Sequence, residues 1–301
     1  MPRETGTDSH FSPRRAIEVL APAAVRSPLI FASPHSGRDY PGELLRNSRL
    51  DHHALRQSED SYVDLLFDEA PRMGAPLLRA LFPRAYVDVN RSRDELDPRM
   101  FADEVPKTAD CHSSRVIAGL GVIPRIVADG QDIYGRKLYY LDAKRRLSAC
   151  YDPYHTALKG LIEDARSRFG CAVLIDCHSM PSAGGAPFRP GEPKIDFVLG
   201  DRFGSSCAPS VIRFVEDVLT GFGYQVARNA PYAGGYVATS YGRPRGGVHA
   251  LQIEINRSLY LDERRIARTS EFEPLRRNMI SLMERLMDFD ADDLRVAQAA
   301  E

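Results

Sequence analysis

The sequence predicts an α/β protein: a three-layer sandwich in which a mixed, mostly parallel sheet carries helices on both faces. Short apolar runs of strand length alternate along the chain with amphipathic stretches of helical period. The clearest of these runs are apolar throughout, as in strands covered on both sides. Composition agrees, with 43% hydrophobic and 27% charged residues in 301, ordinary globular values. A length of 301 residues would suit two domains at ~150 residues each, but also one large open-sheet domain. One α/β domain is expected over residues 13–290, with poorly ordered tails at 1–12 and 291–301.

The elements follow in order. Ser27 to Ser33 (SPLIFAS) is a continuous apolar strand closed by Pro34. From Asp60 to Ala70, Tyr62, Val63, Leu66, Phe67 and Ala70 recur at helical spacing, and Pro71 with Gly74 ends the run. Tyr86 to Asn90 (YVDVN) alternates like a strand. Asp152 opens a helix with Pro153 at its first position, and Tyr154, Leu158, Leu161, Ile162 and Ala165 form its apolar stripe up to Gly170. Ala172 to Cys177 (AVLIDC) and Ile195 to Leu199 are buried strands. Pro209 to Leu219 is a helix with an inward face at Val211, Ile212, Val215, Val218 and Leu219. Leu251, Ile253 and Ile255 alternate with Gln252 and Glu254, so both polar groups leave one face of a strand. Pro274 to Met287 is the last helix.

Several function classes are excluded or disfavoured. Lys plus Arg number 40 against 41 Asp plus Glu, so no basic excess points to nucleic acid or an anionic membrane. The five cysteines are scattered, without a CxxC pair, and read as free thiols of a reducing compartment. The polar N-terminus has no apolar signal-peptide core, and no run approaches the ~18 apolar residues of a membrane span; a cytoplasmic location is expected. The P-loop, dinucleotide, nucleophile-elbow and HExxH patterns all fail.

A different constellation remains. Ligands of open α/β sheets bind beyond the carboxyl ends of strands. Polar residues at those ends are His35 (SPHSG), Asn90–Arg91 (YVDVNR), His178 (DCHS) and Glu254 (ALQIEIN). Two histidines and candidate acids on one sheet edge suit a mononuclear zinc hydrolase, in which three His or carboxylate ligands leave a position open for water. A histidine after a strand often only hydrogen-bonds a loop, but the pair, each closing an apolar strand and each followed by Ser, favours ligation. His52, His53, His112 and His155 read as solvated, and His249 as structural.

The strings SPHSGRDYP, EDSYVD, FPRAYVDVNRSRDELDP, DCHS and GGYVATSYGRPRGGVHALQIEINRSLYLDE resemble the N-formylglutamate amidohydrolase family. The resemblance runs over about residues 28–289 and rests on five strings in family order. It implies a fold similar to that of zinc carboxypeptidases and aspartoacylase-type deacylases. It also implies hydrolysis of an N-acyl amino acid, in the named case N-formyl-L-glutamate to formate and glutamate, with one Zn²⁺ per chain or another divalent ion in its place.

Carried over by position, the resemblance makes His35 and His178 zinc ligands. The carboxypeptidase glutamate three residues after the first histidine is replaced by Arg38, so the third ligand is sought in Glu59–Asp60, with Asp60 preferred and Glu59 its rival. Asn90 and Arg91 would hold the substrate α-carboxylate, and Arg84 would polarise the scissile carbonyl or else be an ordinary surface arginine. Glu254 would be the general base. Arg243 is assigned, as a guess, to a second substrate carboxylate. The partner expected is a small N-acyl amino acid, with neither nucleic acid nor membrane; oligomeric state carries no signal. A zinc peptidase on short acidic or cell-wall peptides, with a cleft set by loops 92–135 and 180–195, and a silent binding homologue are the alternatives.

Overall fold

The computed structural model describes residues 15–127, 130–182 and 194–294. Its main sheet is built from β1 (Ile17–Leu20), β2 (Leu29–Ser33), β3 (Leu77–Ala80), β4 (Ala172–Met180), β5 (Phe197–Gly200), β6 (Val226–Arg228) and β7 (Val248–Asn256). Their order across the sheet is β1-β3-β2-β4-β7-β5-β6. The neighbours β3, β2, β4 and β7 run parallel, as do β5 and β6, whereas β1 against β3 and β5 against β7 are antiparallel. The sheet is therefore mixed and mostly parallel, as expected.

One face packs on the helices Pro209–Gly221 and Phe272–Met287, and the other on Asp152–Phe169. This gives the three layers. The strands β4 and β7 are buried along their whole length, which is why they read as apolar runs. In β4, Ala172 and Leu174 belong to the core on the side of helix 152–169; in β7, Val248 and Ala250 do the same. With a side-chain period of two, the next residues on that face are Asp176 and His178, and Gln252 and Glu254. Register places Asp176 opposite Gln252 and His178 opposite Glu254. Halfway along two central strands one face changes from hydrocarbon to polar groups, and the site begins there.

Several expected elements come out differently. Tyr86–Asn90 is a buried turn-rich loop, because its backbone bonds are turn and loop bonds: Tyr86 N and Val87 N donate to Pro83 O, and Asp88 N to Val122 O. Val87 and Val89 still face the core, which produced the strand-like alternation. The expected helix over 60–70 is two separate turns, Val63–Leu66 and Ala70–Met73. Tyr62 sits at φ 65° ahead of the first, a left-handed conformation that keeps Glu59 and Asp60 out of any helix.

The helix expected to open at Asp152 instead continues from Tyr140–Arg146 through a π-helical turn at Leu147–Tyr151. The widened turn ends just before Pro153 and accommodates its missing N–H. Residues 291–294 of the expected tail form a short turn that buries Leu294, because Leu294 joins the core under helix 272–287. The tails 1–12 and 295–301, and 183–193 of the cleft loop, lie outside the described residues. Short strands β1, β3 and β6 went unread; their three or four residues carry little periodic signal.

His155, expected in solvent, is buried at 8% exposure. Its Nδ1 pairs with Tyr241 Oη at 2.7 Å and its Nε2 with Val89 O at 3.0 Å, so it ties helix 152–169 to the loop carrying Asn90. Burial lowers its pKa from 6.5 to about 4. The unfolded imidazole takes up its proton near 6.5 while the folded one resists until about 4, so stability is lost as pH falls through that window. A non-titrating variant lacks this loss. The stability difference between wild type and His155→Gln, measured by denaturant unfolding, is therefore expected to shrink by roughly 3 kcal/mol between neutral pH and pH ~4; a pH-independent difference would contradict the assignment.

Candidate metal centre and substrate cavity

The loop after β2 carries His35 and is pinned against neighbouring loops. Asp60 N donates to His35 O at 3.0 Å, and Ser36 Oγ donates to Asp60 O at 2.8 Å. Gly37 has no room for a side chain, since a Cβ there would lie 2.1 Å from Phe82 O. The loop that carries His35 thus lies directly on the one leading to Arg84 and Asp88.

Asp60 is the hub. Its Oδ2 lies 3.3 Å from His35 Nδ1 and 3.1 Å from His178 Nδ1. Its Oδ1 accepts from Arg257 Nη2 and Ser179 Oγ, at 3.1 and 3.2 Å. Burial works against its charge, but the two histidines outweigh it and hold the carboxyl well below the usual range. Each histidine turns its other nitrogen to a buried carboxylate: His35 Nε2 lies 2.7 Å from Asp88 Oδ1, and His178 Nε2 lies 2.9 Å from Asp176 Oδ2. The second contact is close in distance but lacks hydrogen-bond geometry, and among the described residues neither Asp176 oxygen has a hydrogen bond; the contact is electrostatic. Burial also opposes charge on His178, yet Asp176, Asp60 and Glu254 push its pKa well above the ordinary value.

His35, Asp60 and His178 offer ligand atoms within 4.8 Å of one another. The fit to a divalent cation is good on three grounds. Both Nδ1 atoms converge on one ionised oxygen, the donor set is the His/His/carboxylate type, and Asp88, hydrogen-bonded behind the His35 ring, fixes its orientation as in known metal sites. Glu59, the rival ligand, points elsewhere: it accepts from Arg56, Tyr40 and Ser61.

A cavity of about 560 Å³ opens on this group. Arg84, Asn90, Arg91 and Glu254 line it with the three above. Glu254 is held by Gln252 Nε2 at 2.7 Å; burial raises its pKa to about 7, with Asp60 adding and His178 and Arg84 opposing. Arg84 Nη2 bonds Asp88 Oδ2 at 2.8 Å and is therefore a cavity residue rather than a free surface one. Asn90 Oδ1 accepts from Val237 N at 2.8 Å, and its Nδ2 lies 3.3 Å from His178 Nε2. Gly235 lies so close that a Cβ would meet Asn90 Nδ2 at 2.4 Å. Arg91 Nε and Nη1 donate to the carbonyls of Leu120 and Asn90, at 2.8 and 2.7 Å.

Arg243 stands apart from these residues. Its Nη1 donates to Thr239 O and Gly242 O at the end of helix Tyr236–Tyr241, where a cation meets unsatisfied carbonyls. It borders a different groove, so its expected place at a second substrate carboxylate is corrected. Asp88, Asp176 and Arg257 escaped the sequence reading. Asp176 had a signal: two residues before His178 on a strand, it shares the same face. Asp88 and Arg257 are brought in only by folding.

A family model described as N-formylglutamate amidohydrolase matches residues 27–261. The N-formylglutamate deformylase of Pseudomonas aeruginosa is 30% identical over 249 residues, covering 82% of this chain and 86% of that protein. The N-formylglutamate deformylase of Pseudomonas putida is 28% identical over 241 residues, covering 79% and 83%. The crystal structure of N-formylglutamate amidohydrolase from Ralstonia eutropha superposes with a TM-score of 0.85 at 36% identity, over 91% of this chain and 97% of that one.

If His35, Asp60 and His178 hold the ion, elemental analysis after zinc loading and desalting should find about one equivalent in Glu59→Gln and far less in Asp60→Ala or His178→Ala. The reverse pattern for the two acids would exchange their assignments.

Proposed function

The chain belongs to the N-formylglutamate amidohydrolase family, and on that premise we propose that it hydrolyses N-formyl-L-glutamate to formate and L-glutamate with a zinc ion held by His35, Asp60 and His178. The observation that carries the reading is the convergence of these three ligands with Glu254, Arg84 and the Asn90–Arg91 pair around one cavity. A divalent ion there supplies Lewis acidity, which makes water a better nucleophile near neutral pH and polarises a carbonyl. Other divalent ions suit the same donors, and supply decides among them. A cytoplasmic setting fits the five free thiols. No helix among the described residues is long and apolar enough to cross a membrane.

The protein side chains divide the remaining work. Glu254 takes a proton from the attacking water as the new C–O bond forms at the formyl carbon. It returns that proton to the glutamate nitrogen as the C–N bond breaks, so one carboxyl serves as base and then as acid. A carboxyl raised toward neutrality by burial suits both directions. Arg84, held by Asp88 beside the cavity, donates to the oxygen on which negative charge develops. Arg91 reaches the substrate α-carboxylate through Nη2, which keeps only a loose contact with Asp88 Oδ2 at 3.7 Å while Leu120 and Asn90 engage the other two nitrogens. Asn90, fixed by Val237 N, stands beside it.

Purified protein is expected to release formate from N-formyl-L-glutamate, to stop on chelation and to recover on adding zinc. In Glu254→Gln, whose amide oxygen can still accept from Gln252, turnover should fall by at least about 10²-fold with metal content unchanged. Full activity in that variant would remove Glu254 from the proton path.

A further inference from the structure

We propose that Arg115 binds the second carboxylate of the substrate and so selects an acidic amino acid over a neutral one. The inference rests on the deformylase reading and replaces the role expected of Arg243.

The argument begins with the charges around the cavity. Its arginines are Arg84, Arg91, Arg115, Arg202 and Arg257. Arg84 is paired with Asp88 at 2.8 Å and Arg257 with Asp60 at 3.1 Å. Arg91 lies 3.7 Å from Asp88 and is further held by backbone carbonyls. Among the described residues neither Arg115 nor Arg202 has an ion pair. With a divalent cation added, the cavity therefore holds unmatched positive charge, and a dianion such as an N-acyl acidic amino acid balances it better than a monoanion.

Position separates the two unmatched arginines. Arg202 leans over the loop opposite, with Nη1 3.4 Å from Gly234 O, and also borders the groove that contains Arg243. Arg115 belongs to the turn that supports Arg91: Arg91 Nε donates to Leu120 O, and Leu120 N donates to Arg115 O at 2.8 Å. The two guanidinium groups thus come from one wall. Burial and then the Arg84 guanidinium push the Arg91 pKa below its ordinary value, and Arg115 adds to them in the same direction, as a like charge nearby must. The backbone under Arg115 is fixed, because Ser113 Oγ caps Val116 N at 3.2 Å, Ser113 also donates to Glu95, and Val116 is buried. Its side chain is exposed and makes no hydrogen bond or ion pair among the described residues. A free guanidinium on a fixed turn beside an α-carboxylate site is well placed for a carboxylate one short alkyl chain away.

The test compares N-formyl-L-glutamate with N-formyl-L-glutamine, nearly the same shape without the second charge. Arg115→Gln should lower kcat/KM for N-formylglutamate by about 10- to 100-fold, mostly through KM, as expected for losing a hydrogen bond to a charged group. N-formylglutamine should lose less than about threefold, so the preference collapses. Arg115→Lys should restore part of it, and Arg202→Gln should keep the wild-type preference. Loss on both substrates alike would make Arg115 structural, and a preference that survives Arg115→Gln or collapses in Arg202→Gln would overturn the proposal while formate release by the wild type upholds the deformylase reading. No formate from either substrate, in folded zinc-loaded wild type, would overturn both.

Discussion

A carboxylate at 1% exposure, Asp60, is the constraint on which the site depends. An ionised group so deeply placed persists only when every lone pair has a donor or a cation. Arg257 and Ser179 serve one oxygen, and His35 and His178 face the other. The histidines are constrained in turn by Asp88 and Asp176, and Asp88 by Arg84. Burial opposes the charge of Asp88 as well, and Arg84, Arg91 and His35 outweigh it. The result is a lattice of alternating charges in which removing one member exposes its neighbours to uncompensated burial.

The sheet makes that lattice possible at acceptable cost. Parallel central strands end on the same edge, so β2 delivers His35 just beyond Ser33 while β4 and β7 deliver His178 and Glu254 in register. Rigid strands fix the spacing of these groups better than loops alone. The members that come from loops are tied down individually: Asp60 to the His35 carbonyl, Asn90 to Val237 N, and Arg91 to Leu120 O. His155, which bonds Val89 O, extends the same bracing from helix 152–169 to the residue next to Asn90.

Electrostatics also divides the cavity by task. Around the histidines the acids offset the cations, which suits retention of a metal ion and a carboxyl that can give and take a proton. Towards Arg115 and Arg202 positive charge is left unmatched among the described residues, which suits an anionic substrate. On the proposed deformylase reading, one cavity has a reacting end and a recognising end, built from different elements.

The buried strands, the long helices and the pair His35 and His178 were legible in the amino-acid sequence, because continuous apolar runs and helical period are local signals. The sequence also carried the alternation of Gln252 and Glu254 on one face. It placed Asp60 and Glu59 side by side and left the choice between them open. Only the tertiary structure separates the two, turning Glu59 towards Arg56 and Tyr40 and Asp60 towards the histidines. The loop at Tyr86–Asn90 imitated a strand because burial of Val87 and Val89 alternates even without a partner strand. Arg243 looked like a substrate ligand beside a glycine-rich stretch, yet the carbonyls at a helix end claimed it. Asp88 and Arg257 carried no local mark at all. Side-chain partnership across distant segments depends on where the chain returns in space, and spacing along the sequence holds no record of that.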